Sequence, residues 1–217
     1  MIQNLIDLDT QLFLSLNSHH TLFWDQFMYL YSGKWEWVLF YASIIYVLFK
    51  NYKPKQVLFV LLTVAAVIAC SDAITSQVLR PIFCRLRPSN LDNPISSMVH
   101  IVNGHRGGSY GFPSCHSANS WGLTFFLIFL LRNRVHTILL TVWAVTICYS
   151  RIYLGVHYPG DLLAGMFVGL FWGFLGYYIL TRLTKQREAA IRSLYVPVYA
   201  YLATSVVITS AAFFITT

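Results

Sequence analysis

Residues 57–79 read VLFVLLTVAAVIACSDAITSQVL, and this stretch decides the class of fold. A helix needs about 20 apolar residues to cross a hydrocarbon core of about 30 Å, and here one ionisable side chain, Asp72, interrupts the run. The whole chain agrees with it. Of 217 residues 57% are hydrophobic and 11% charged, whereas a soluble domain carries about a quarter charged residues. The mean hydropathy is +0.58. That composition excludes a disordered chain, a collagen-like chain and most soluble globular domains.

Working outward, five further stretches read as spans: Trp35–Lys50, Ser114–Leu131, Val135–Ser150, Asp161–Thr181 and Tyr195–Ile215. The expected fold class is all-α, a polytopic bundle of about six transmembrane helices in a single domain over 1–217. Residues 1–34 would form interfacial amphipathic helices, 35–194 the catalytic core and 195–217 a C-terminal span. In residues 1–31 the leucines recur at helical spacing but are interrupted by Asp7, Asp9 and Asp25. Helices lying in the membrane interface and helices covering the end of the bundle both fit that pattern. The first twenty residues lack a basic n-region and a small-residue cleavage site, so no cleavable signal peptide is expected.

The formal net charge of +7 would suggest nucleic acid in a soluble protein, but in a membrane protein basic residues collect in cytoplasmic loops. Lys50, Lys53, Lys55, Arg132, Arg134, Arg182, Lys185, Arg187 and Arg192 fall on one side if six spans alternate. That side is therefore expected to be cytoplasmic, and no nucleic-acid partner or obligate protein partner is expected. The opposite side receives both termini, the long segment 80–113 and the segment 151–160. The tryptophans and tyrosines near span ends (Trp24, Trp35, Trp37, Tyr195, Tyr199) read as interfacial belts. Asp72, inside a span, should face the interior and find a partner such as a Ser or Thr.

Unusual polar residues concentrate in three segments on that outer side: RPIFCRLRP (80–88), FPSCHSAN (112–119) and SRIYLGVHYPGD (150–161). Ionisable groups at a membrane edge are costly unless they pair or act, so three clusters on one side point to one shared site. Arg80, Arg87 and Arg151 supply planar donors suited to phosphate oxygens. Ser114 at a helix start adds a hydroxyl and free backbone N–H groups. Asp161 stands one helical turn after His157, where it can fix the imidazole tautomer and leave the other ring nitrogen nucleophilic. His116 is then the general acid toward the leaving oxygen. His116, His157 and Asp161 as metal ligands is the weaker reading, because three cations would surround the metal. His105 and Arg106 read as a solvated loop or as contacts to a polar head group. Four cysteines without C-x-x-C spacing give no metal or redox motif. Cys70 and Cys148 read as buried apolar residues, and a Cys84–Cys115 disulfide is not expected.

These residues resemble the three motifs of the type 2 phosphatidic acid phosphatase (PAP2) superfamily, K-x6-R-P, P-S-G-H and S-R-x5-H-x3-D. Arg80-x6-Arg87-Pro88 stands for the first, Pro113-Ser114-Cys115-His116 for the second, and Ser150-Arg151-x5-His157-x3-Asp161 for the third. The resemblance implies a metal-independent, cofactor-free phosphatase with His157 as nucleophile, Asp161 as its partner and His116 as acid. Arg80, Arg87, Ser114, Cys115, Ser150 and Arg151 would bind the phosphate. Arg80 departs from the family's Lys and Cys115 from its Gly. The apolar spans exclude the soluble acid phosphatases and haloperoxidases of the same superfamily.

The expected activity is hydrolysis of a lipid phosphate or diphosphate, through a phosphohistidine, at the outer face of the cytoplasmic membrane. Undecaprenyl diphosphate is the favoured substrate. Lipid A (1- or 4'-phosphate) and phosphatidylglycerophosphate are the alternatives. An anion transporter would need charges deep within several spans, and only Asp72 is so placed. A haem-binding subunit would need paired histidines within a span, and no span holds two.

Overall fold

In the computed structural model, which describes residues 2–184 and 195–217, the opening stretch lies within one continuous rod from Pro54 to Phe83. Pro54 begins helix α4 (Pro54–Ala73), where its missing N–H costs nothing. Just before it, the Lys53 N–H donates to Gln56 Oε1 at 3.0 Å. The rod then passes through a π-helical turn, Ile74–Leu79, into the short helix α5 (Arg80–Phe83). Cys84, in the left-handed region at φ 46°, ends it.

The other helices are α1 (Ile2–Asn17), α2 (Leu22–Tyr31), α3 (Val38–Asn51), α6 (Cys115–Leu131), α7 (Arg134–Tyr153), α8 (Pro159–Thr184) and α9 (Val196–Thr216). The α4–α5 rod, α7, α8 and α9 are long and apolar enough to cross a membrane, whereas α3 and α6 are shorter apolar helices. These helices cover the six stretches expected as spans, with ends within a few residues, and four of them reach membrane-crossing length. At 1.5 Å per residue, the 14 residues of α3 reach about 21 Å, short of the full hydrocarbon core. Side chains set the boundaries. Ser114 Oγ accepts from the Ser117 N–H to cap α6, and Asn133 Oδ1 accepts from the N–H groups of Val135 and His136 to cap α7.

Inside the bundle, α6 and α8 lie backbone to backbone. Gly165, Gly169 and Gly173 of α8 face α6 so closely that a Cβ on Gly169 would stand 2.6 Å from the Ala118 carbonyl oxygen and the Gly122 nitrogen. Small residues at such spacing let membrane helices approach without intervening side chains. A second core joins α2, α3, α7 and α9 around Tyr31, Trp37, Phe40 and Trp143. There the Trp37 indole N–H donates to the Tyr31 carbonyl at 2.9 Å.

Three expectations need amendment. Asp72 takes Asn119 of α6 as its side-chain partner, the amide donating to Oδ1 at 3.3 Å. Asp72 itself is exposed rather than turned to the bundle interior as expected, and the neighbouring hydroxyls of Thr75 and Ser76 turn back onto the helix's own carbonyls. Helix α2 is not merely interfacial, since Met28 and Tyr31 are buried in the bundle. Helix α1 combines both readings, with Phe13 and Asn17 buried and Ile2, Leu5 and Leu8 exposed. Of the nine basic residues assigned to one end, Lys185, Arg187 and Arg192 lie outside the described residues. The other six lie at the α3–α4 and α6–α7 turns and the C-terminal end of α8, away from the segments that gather the histidines.

Candidate active site

The end of α4–α5, the starts of α6 and α8 and the end of α7 meet on one side of the bundle, and each delivers part of one motif. The segment 85–87 is held against 109–111. Arg87 N–H donates to the Ser109 carbonyl (3.0 Å) and Gly111 N–H to the Arg85 carbonyl (2.9 Å). The loop 80–113, irregular in sequence, therefore has its two ends zipped beside the site.

His157 is fully buried in the turn before α8. Its Nε2 faces Arg87 Nη1 at 2.9 Å, and a guanidinium only donates. Nε2 is thus the acceptor, the ring proton sits on Nδ1, and Nδ1 faces Asp161 Oδ2 at 3.4 Å. Burial, reinforced by the positive charges of Arg87, Arg151 and Arg80, holds the His157 imidazolium well below the usual histidine range, so the ring is neutral at neutral pH with an unprotonated Nε2. Burial, then Arg80, pushes the Arg87 guanidinium down to about 10.

Asp161, wholly buried, accepts at both oxygens. Oδ2 takes the Tyr158 N–H at 3.0 Å and Oδ1 takes Arg85 Nη1 at 2.9 Å. The Asp161 carbonyl also accepts the Ser114 N–H at 3.0 Å, tying the start of α6 to the start of α8. His116, one residue into α6, is exposed, within the electrostatic reach of Arg151, His157, Arg87 and Arg80.

The three sequence-assigned arginines converge, and each keeps a buried Nε with no hydrogen-bond partner. A buried N–H left unpaired costs about 1–3 kcal/mol, so three of them around one imidazole describe a cradle for an oxyanion. Arg80 Nη2 donates to Cys115 Sγ (3.0 Å) and to the Pro113 carbonyl (3.3 Å). Thr75 Oγ1, from the π-helical turn, also meets Cys115 Sγ at 3.0 Å. The two motif departures, Arg80 and Cys115, are thus in direct contact.

Other sequence-assigned residues lie less directly at the centre. Ser150 Oγ donates to the Ile147 carbonyl of its own helix at 2.7 Å. Ser114 Oγ caps α6, and Arg151 Nη1 donates to Ser32 Oγ. Arg106 staples the outer loop, donating to the Ser89 carbonyl at 2.6 Å and Ser96 Oγ at 3.2 Å, while His105 is exposed.

Sequence reasoning missed Arg85, Asp9 and Gly111. Arg85 bridges Asp161 to Asp9 (Nη2–Oδ2 2.7 Å). A Cβ on Gly111 would lie 3.1 Å from Asp161 Oδ2 and 3.5 Å from His157 Nδ1. A third arginine between Arg80 and Arg87, at a membrane edge where unpaired charge is costly, was the available signal.

A family model described as the PAP2 superfamily matches residues 56–185. The chain belongs to the PAP2 superfamily. It is 50% identical over 189 residues to the lipid A 4'-phosphatase of Bacteroides thetaiotaomicron, covering 87% of this chain and 84% of that protein. It is 36% identical over 180 residues to the lipid A 4'-phosphatase of Porphyromonas gingivalis, covering 82% and 75%. The fold resembles the crystal structure of Aquifex aeolicus LpxE with a TM-score of 0.58 at 25% identity, covering 79% of this chain and 95% of that one. The expected family, the helical membrane-spanning fold and phosphatase activity are borne out. This PAP2 protein is a multi-pass membrane lipid phosphatase.

Proposed function

We propose that the chain removes the 4'-phosphate of a lipid A-type glycolipid through a phosphohistidine on His157, without a metal ion, at the outer face of the cytoplasmic membrane. The observation that carries the choice of lipid is the 50% identity, over most of both chains, to a lipid A 4'-phosphatase. The preference for undecaprenyl diphosphate expected from the sequence has no support of that weight and gives way to it.

The geometry supports the following course. A phosphomonoester enters between Arg80, Arg87 and Arg151, whose unpaired Nε–H groups await oxygens, and Arg87 turns from His157 Nε2 to the phosphate. Nε2 attacks phosphorus in line with the sugar oxygen. The N–P bond forms as the P–O bond breaks, and His116, which takes up a proton as the phosphate's negative charge enters the cradle, gives that proton to the departing oxygen. Asp161 holds Nδ1–H and balances the imidazole as it gains charge. His116, now neutral, takes a proton from water, which attacks phosphorus. The P–N bond breaks, and inorganic phosphate leaves with His157 restored. Stabilisation of equatorial oxygens by fixed cations carries most of the rate in such transfers. The six described basic residues at the opposite end of the bundle support the outward orientation.

The test is phosphate release by purified protein from lipid A, undecaprenyl diphosphate and phosphatidylglycerophosphate, each with and without chelator. Mass spectrometry of the lipid A product assigns the position attacked. Faster turnover of undecaprenyl diphosphate would overturn the substrate, and loss of activity in chelator would overturn the mechanism. Labelling of exposed Cys84 by an impermeant reagent in intact cells tests the orientation.

A further inference from the structure

Helix α1 turns three side chains, one helical turn apart, toward the segment that carries His157. Asn17 Nδ2 donates to the carbonyls of Ile152 (3.1 Å) and Tyr153 (2.9 Å) where α7 ends. Phe13 lies edge-on to Tyr158, centroids 5.3 Å apart. Asp9 accepts the Gly160 N–H at 2.8 Å in the first turn of α8. Asp9 also receives Arg85, whose guanidinium spans from Asp9 Oδ2 (2.7 Å) to Asp161 Oδ1 (2.9 Å) and lies 3.9 Å over the Tyr158 ring.

This places Arg85 at the back of the His157–Asp161 pair. Asp161 has two oxygens with separate duties: Oδ2 faces Nδ1 of His157, and Oδ1 is held by Arg85 alone among the contacts of the described residues. A carboxylate turns about its terminal bond over a broad range, so the Tyr158 N–H on Oδ2 and the grip of Arg85 on Oδ1 together decide where Oδ2 points. The fork of a guanidinium can fix that rotation by binding two carboxylates at once, whereas an ammonium supplies charge without the plane.

We propose that Arg85, braced by Asp9, is a positioning residue for the His157–Asp161 pair, so that the N-terminal helix is part of the catalytic apparatus as well as of the membrane-facing surface. The inference rests on the reading of His157 as nucleophile and Asp161 as its partner, and it holds for whichever lipid phosphate the enzyme turns over. The ionisable groups facing Asp161 are Arg85 and Arg87 from the segment after α5, His157 and Tyr158 from the turn before α8, and Asp9 of α1 across Arg85.

The experiment compares Arg85→Ala, Arg85→Lys, Asp9→Asn, Asp9→Asn/Arg85→Ala and Asp161→Asn on the best lipid substrate found, in detergent. Elution profile and melting temperature confirm that each variant is folded. Arg85→Ala lowers kcat about ten- to a hundredfold with KM little changed, the scale of a misplaced reacting group. With a cation removed from beside Asp161, the acid limb of the kcat profile moves up by about one pH unit. Arg85→Lys returns the acid limb toward wild type and restores kcat only in part. Asp9→Asn gives a smaller loss that disappears in the Arg85→Ala background. The inference is overturned if Arg85→Ala keeps wild-type kcat and pH profile while Asp161→Asn is inactive. Wild-type turnover by Asp161→Asn would instead remove the pair itself. If Arg85→Ala fails to fold, Arg85→Lys and Asp9→Asn decide: unchanged kcat and acid limb in both overturns the proposal.

Discussion

Replacing Gly111 by Ala tests the catalytic geometry at its tightest point. The added methyl would stand 3.1 Å from both Arg87 Cγ and Asp161 Oδ2, and 3.5 Å from His157 Nδ1. Relieving the oxygen contact needs a displacement of about 0.3 Å, because carbon and oxygen pack comfortably near 3.4 Å and beyond. The Asp161 carboxylate has little room to give, since Tyr158 N–H and Arg85 hold its two oxygens at 3.0 and 2.9 Å. Its contact with Nδ1 is already long at 3.4 Å, so the strain falls there. A hydrogen bond to a charged group is worth about 1.5–3 kcal/mol, and losing most of it slows the chemical step about ten- to a hundredfold. Single-turnover phosphate release with acid quench reads this directly: the phosphoenzyme forms more slowly, and KM rises as well because the methyl also crowds Arg87 of the cradle. Wild-type kcat in a folded Gly111→Ala protein would refute the claim that the His157–Asp161 contact limits phosphoryl transfer.

Gly169→Leu drives a side chain into the Ala118 carbonyl and the Gly122 backbone, both 2.6 Å from the Cβ position. Overpacking of this kind costs about 1–3 kcal/mol or more, read as a lowered melting temperature in detergent; an unchanged melt would contradict the described helix contact. Arg80→Lys and Cys115→Gly should each reduce kcat/KM, and the double variant should lose less than the sum. A coupling of about 0.5–3 kcal/mol is expected for groups in contact, and strict additivity would show that the 3.0 Å Arg80–Cys115 contact is functionally idle. For pH, the sign follows from His157 being held neutral in the fold while an unfolded histidine protonates near pH 6.5. Below that pH the unfolded chain binds more protons, so stability from this group is constant above about pH 7 and falls as pH drops through 6.5. Melting temperatures in detergent between pH 8 and 5 should show the fall, and His157→Gln should flatten it.

The spans and the two histidines were legible in the sequence because each rests on local pattern: apolar length for the helices, short motif spacing for the site. The contact of Arg85 with Asp9 was not, since it joins residues 76 apart in a chain whose intervening spans give no register. Asp72 misled for a related reason. A Ser or Thr lies one turn away on its own helix, but those hydroxyls satisfy backbone carbonyls, and the partner Asn119 comes from α6. The lipid was also out of reach, because Arg80, Arg87 and Arg151 recognise only the phosphate that every candidate substrate shares. The proposal of a lipid A-type substrate rests on overall similarity to the two lipid A 4'-phosphatases.

The glycine face of α8 has a mechanical consequence. Where α6 and α8 touch through their backbones, no layer of rotameric side chains lies between them to compress or repack, so the pair behaves as one stiff beam. His116 at the start of α6 and Asp161 at the start of α8 lie at the same end of that beam, joined there by the Ser114 N–H on the Asp161 carbonyl. Leu163, Phe167, Phe171 and Phe174 of α8 are exposed along this beam, so a change in bilayer thickness or lateral pressure acts on it directly and moves the two helices together. In the proposed mechanism this rigidity would keep the spacing between His116 and the His157–Asp161 pair fixed while the helices move as one.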